Sequence, residues 1–174
     1  MHPDRGWPFL SDPHHAVLSA VWAIFIHGVL SLLVVLPIVL PSSRRVLYGT
    51  LAFIGGPALD LDHVVAAGSL DPHALETMSQ RPDTHSLLTA VVLALLALAV
   101  TRRRLAAWSV FAVVVSHLLF DAAGGSEQWL YPLERPDSIP WLLCPVGIVV
   151  LTGISWALQR AERSPPTMGR PLAR

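Results

Sequence analysis

Apolar runs separated by short polar breaks organise this chain from end to end. The first, Ala16 to Leu40, is too long for the core of a cleavable signal peptide and lacks a convincing cleavage site, so it predicts a membrane helix. Pro41-Ser42-Ser43-Arg44-Arg45 reads as a turn. The second run, Val46 to Leu59, stops at Asp60-Leu61-Asp62-His63, and a polar segment from Gly68 to Thr84 follows. Ser86 to Val100 is the third run, preceded by Thr84 as a candidate N-cap and closed by Arg102-Arg103-Arg104. Leu105 to Phe120 is the fourth, ending in Asp121 and Gly124-Gly125. A polar loop with Trp129, Tyr131, Pro132 and Pro136 leads to the fifth, Ile139 to Leu158, and then to a tail rich in Arg and Pro.

Several runs fall short of the roughly twenty residues that cross the hydrocarbon. Each short one continues through Asp or His, which places those groups in the outer part of the membrane, facing the interior of a bundle rather than lipid. The expectation is an all-α integral membrane bundle of about five transmembrane helices forming a single domain over 1–174. An external N-terminal segment covers 1–15, the bundle 16–158 and a cytoplasmic tail 159–174. Gly28, Gly49, Gly55 and Gly56 are available for close helix approach, Pro57 predicts a bend, and Gly68 to Thr84 is a candidate lid.

Composition supports the membrane reading: 53% of the 174 residues are hydrophobic, 14% are charged and the mean hydropathy is +0.55. The zero formal net charge argues against nucleic acid as a partner. All 12 basic residues are arginine, which excludes a catalytic lysine, a Schiff base and a P-loop. Cys144 is single, so neither an intramolecular disulfide nor a cysteine-rich metal site can form. Arginine clusters at 44–45, 102–104 and 160 with 163 follow the first, third and fifth runs, which puts them on one, cytoplasmic, side of a bacterial or archaeal inner membrane with the N-terminus outside.

Height above those clusters, at about 1.5 Å per helical residue, brings chemistry into one layer. His27 lies roughly 25 Å above Arg44, and Asp60 and Asp62 roughly 22 to 26 Å above Arg45. His85 lies roughly 25 Å above Arg102, and His117 and Asp121 roughly 20 to 26 Å above Arg104. His117 and Asp121, four apart, share a helix face, a spacing that suits two ligands of one ion or a histidine oriented by a carboxylate. Asp60-Leu61-Asp62-His63 packs three ligand-type groups into four residues. His27 is flanked by apolar residues inside a membrane run, where an ionisable group is a functional candidate. His14 and His15, just ahead of the first run, are alternatives to it.

The candidate metal ligands are therefore His27, Asp60, Asp62, His63, His85, His117 and Asp121. Imidazole and carboxylate without thiolate suit zinc first, then manganese or iron, as one or two ions. Asp62 or Asp121 is a candidate general base, and Arg81 a candidate for stabilising charge on substrate oxygens.

His27, Asp60-Leu61-Asp62-His63, Arg81 with Thr84-His85-Ser86-Leu87-Leu88, and Ser116-His117-Leu118-Leu119-Phe120-Asp121, with Trp129 and Pro132 beyond, resemble in order and spacing the YdjM-like family of inner-membrane metal-dependent hydrolases. The resemblance spans roughly 20–135. It implies a small multi-helix membrane protein with these His and Asp residues as metal ligands.

The expected function is a metal-dependent hydrolase acting on a lipid or lipid-linked ester or phosphoester at the outer face, where Trp129, Tyr131 and Trp141 suit the interface. The alternative is transport or binding of a divalent cation or protons through the same layer. A histidine-nucleophile lipid phosphatase is disfavoured by the missing Ser-Gly-His segment, and metalloproteolysis by the missing His-Glu-x-x-His motif.

Overall fold

The computed structural model describes residues 13–71, 84–124 and 139–164. Among them are six helices and no strand: α1 (Pro13–Val39), α2 (Arg45–Ala58), α3 (Leu61–Ala67), α4 (Leu87–Thr101), α5 (Arg104–Gly124) and α6 (Leu143–Arg163). Five match the five apolar runs. The sixth, α3, is a short extra element at the Asp60-Leu61-Asp62-His63 motif.

Why the second run splits is visible in its backbone. Pro57 occupies the last turn of α2, and the next amides turn to tighter partners, Leu59 N–H donating to the Gly56 carbonyl and Asp60 N–H to the Pro57 carbonyl. Such three-residue spacing ends an α-helix. The bend expected at Pro57 is therefore a break, and it re-aims Asp60 and Asp62. The third run also starts later than the sequence suggests. Ser86, with φ −143° and ψ 160°, caps α4 by accepting from Thr89 N–H, so Thr84 is not the cap and His85 precedes the helix.

α5 is the central element, packed against α1, α2, α4 and α6. Seven consecutive residues, Ala112 to Leu118, are buried along it, as expected of a helix with neighbours on every side. The outer surface is apolar instead: Leu18, Trp22, Val46, Leu95 and Val149 are all exposed, the arrangement lipid stabilises and water does not. Three helices contain spans long and apolar enough to cross a membrane, Ala20–Val39, Arg104–Ala123 and Leu143–Arg163. α4 is apolar but has only 15 residues, and α2 has 14; both begin or end beside the buried His/Asp layer.

Two of the four glycines singled out from the sequence hold helices together. A Cβ on Gly56 would stand 2.6 Å from the His27 carbonyl oxygen, and one on Gly28 2.9 Å from that of Phe53. Gly49 and Gly55 have only ordinary van der Waals surroundings. On α6 a Cβ at Gly147 would meet the end of the Leu119 side chain of α5 at 2.6 Å. The α1–α2 contact therefore places the His27 backbone directly on α2, three residues before the break at Leu59.

Candidate metal centre

Five backbone segments meet at one buried cluster. His27 comes from the middle of α1, Asp60 from the α2–α3 break, Asp62 and His63 from α3, His85 from the residue pair preceding α4, and His117 and Asp121 from α5. His85 and His117 are fully buried, His27 is 2% exposed and Asp121 6%. The side chain of Asp60, at 31%, opens the cluster to the outside.

The inner group is Asp60, His85, His117 and Asp121. His85 Nε2 and His117 Nε2 lie 3.2 Å apart. His117 Nε2 is 3.4 Å from Asp60 Oδ1 and 3.1 Å from Asp121 Oδ2, while His85 Nε2 is 3.8 and 3.7 Å from the same two oxygens. A tetrahedron with bonds of ~2.0–2.2 Å has edges of ~3.3–3.6 Å. Four ligand-type atoms therefore converge with spacings that suit a common cation, and the donor set of nitrogen and carboxylate oxygen fits zinc, manganese or iron. This buried His/Asp group could hold a metal ion.

Further contacts hold these ligand-type groups in place. His85 turns its other nitrogen, Nδ1, to Asp62 Oδ2 at 2.9 Å, and the Thr84 hydroxyl donates to the same oxygen. Asp62, His63 and His85 make a second group of close ligand-type atoms. Here Asp62 Oδ1 and His63 Nδ1 approach to 3.1 Å without an aligned hydrogen bond. His27 contacts carboxylates through both ring nitrogens, Nδ1 to Asp60 Oδ2 at 3.2 Å and Nε2 to Asp121 Oδ1 at 3.0 Å. Its ring packs edge-on to Phe120.

The seven ligand candidates are thus brought together. Arg81, Trp129, Tyr131 and Pro132, and most of the candidate lid, lie outside the described residues. His14 and His15 begin α1, roughly 18 Å along the helix from His27. Thr84, expected from the sequence as a helix cap, is instead a partner of Asp62. Ser31 and Ser116 were not singled out from the sequence. They pair at 3.4 Å one layer below the cluster, and the signal was present, since Ser31 follows His27 by four residues on the same helical face.

A helical membrane bundle with a buried His/Asp centre is the class this fold defines. Within that class the match is to the family model described as YdjM inner membrane protein, over residues 14–170, and the chain belongs to this family. Neither the curated proteins nor the solved structures include a match.

Proposed function

We propose that the protein is a metal-dependent hydrolase that cleaves an ester or phosphoester bond of a lipid or lipid-linked substrate, with its centre facing the outer side of the inner membrane and its C-terminal tail in the cytoplasm. The observation that carries this reading is the convergence of His85 Nε2, His117 Nε2 and oxygens of Asp60 and Asp121. The centre is sealed on its histidine side and accessible beside Asp60. Lipid as substrate is supported by α3, which carries Asp62 and His63 on a segment whose Leu61 and Val65 are exposed.

A bound divalent ion, zinc first among the candidates, supplies Lewis acidity toward a carbonyl or phosphoryl oxygen and makes water more acidic. Asp60, His85, His117 and Asp121 would hold it. Asp62 Oδ1, which has no aligned hydrogen bond among the described residues, is the carboxylate oxygen we assign to take a proton, while Oδ2 steadies His85. Arg81 is assigned to the charge developing on substrate oxygens. Cation or proton passage is the weaker reading. Below the Ser31–Ser116 pair the interior is closed by Val34, Val35 and Val113, and a conducting path through a bundle needs polar groups or water.

The test is hydrolysis of phospholipid, lipid-phosphate and acyl-ester substrates by zinc-loaded protein in vesicles, beside a folded His117→Ala variant. Product release by the wild type and its loss in the variant is the expected outcome. Equal turnover in both would reject the reading, and zinc flux into proteoliposomes without turnover would favour transport.

A further inference from the structure

We infer that the centre holds a single ion on Asp60, His85, His117 and Asp121, and that His27 is a clamp on two of those ligands rather than a ligand itself. The inference rests on the metal-centre reading above and assigns its division of labour.

The argument starts from valence. A neutral imidazole has one lone pair for a metal and one N–H for a hydrogen bond. His85 aims Nε2 into the inner group and commits Nδ1 to Asp62 Oδ2 at 2.9 Å. That is the carboxylate–histidine arrangement that fixes tautomer and ring orientation behind a metal ligand. A second ion among Asp62, His63 and His85 would need the nitrogen that already faces Asp62. One imidazole therefore serves one ion, and Asp62 is its positioning residue.

His27 fails the same count differently. Both of its nitrogens face carboxylate oxygens, at 3.2 and 3.0 Å. Since a carboxylate only accepts, both contacts are hydrogen bonds when His27 is an imidazolium donating through both N–H groups, a form with no lone pair for an ion. Each of those carboxylates turns its other oxygen inward: Asp60 Oδ1 lies 3.4 Å and Asp121 Oδ2 3.1 Å from His117 Nε2. His27 thus stands behind the two ligand carboxylates as Asp62 stands behind His85. It ties α1 to the α2–α3 break and to α5, and Gly56 makes this geometry accessible by letting α2 reach the His27 backbone.

The test uses the full chain in detergent, loaded with zinc alone, by elemental analysis and zinc-edge X-ray absorption. One zinc per chain with two imidazoles and oxygen ligands is expected. His27→Gln should keep both imidazoles while zinc retention weakens by about 10–100-fold, the usual cost of losing a group behind a ligand. Two zincs per chain, three imidazoles in the wild type, or one fewer imidazole in His27→Gln would each overturn the assignment. The wild-type spectrum and stoichiometry decide even where the variant does not fold. Three imidazoles would leave the hydrolase reading standing, the expected spectrum without hydrolysis would sink only that reading, and a chain that retains no zinc would overturn both.

Discussion

The two halves of the bundle use buried polar groups in opposite ways. In the half towards the arginine hairpins the buried Ser155 hydroxyl is completed on both sides: it donates to the Val34 carbonyl at 2.6 Å and accepts from Trp108 Nε1 at 2.7 Å. In the other half ionisable groups crowd together with Nε2 facing Nε2, and Asp62 Oδ1, His63 Nδ1 and His117 Nδ1 find no hydrogen-bond partner among the described residues. Closed pairs fasten helices where no hydrophobic force drives them together. A cluster of ionisable groups in an apolar setting is costly without a counter-charge, and its inner group of Asp60, His85, His117 and Asp121 could hold a cation. The same helices thus serve as scaffold in one half and gather a His/Asp group that could hold a metal ion in the other.

Removing a ligand should break the comparison most sharply. Asp121→Ala takes away an oxygen on the inner group and one of the two acceptors of His27. Zinc content measured on the purified variant should fall from one per chain to near zero, and any hydrolysis with it, by at least about 100-fold on the scale that even outer-shell losses reach. A variant that keeps its zinc would show that the polar half is only a hydrogen-bonded network, no different in kind from the serine half.

Next in size is the seam between the halves. Gly56→Leu must displace either the His27 carbonyl, 2.6 Å from the new Cβ, or the whole of α2. Overpacking of this kind costs roughly 1–3 kcal/mol, and the shift is transmitted to His27 and Asp60 together. The expected result is a lower unfolding midpoint with weakened zinc retention, whereas Gly49→Leu, with its nearest neighbours at 3.6 and 3.7 Å, should move both far less. Equal effects at the two glycines would remove the special role of the α1–α2 contact.

The seam also marks how far the sequence could be read. Apolar runs locate the five long helices, because a bilayer demands continuous apolar stretches, and counting rise from the arginines brings the His and Asp residues to one level. Pairing inside that level was not legible. Whether His27 faces an ion or two carboxylates depends on ring direction, and ring direction depends on how closely α1 and α2 approach. Thr84 and Ser86 show the same limit on a smaller scale: both can cap a helix by composition, and only the path of the chain into α4 gives the cap to Ser86 and leaves Thr84 for Asp62. Likewise Gly28 and Gly56 are indistinguishable from Gly49 and Gly55 until crossing points are known.

The smallest effect sharpens the comparison from the other side. Ser155→Ala removes the hydroxyl that links Trp108 of α5, Val34 of α1 and α6 itself. Interhelical hydrogen bonds in membranes average about 0.6 kcal/mol, and two are lost here with one indole N–H left unpaired, so a loss of about 1–2 kcal/mol is expected in detergent unfolding. Zinc content and ligand spectrum should stay those of the wild type, since Ser155 lies on α6, which contributes nothing to the inner group. A stability loss with an intact centre would establish that the two halves are energetically separate. Loss of zinc on Ser155→Ala would instead mean that the α1–α5–α6 fastening sets the geometry of His27 and His117, and that scaffold and cage are one cooperative unit.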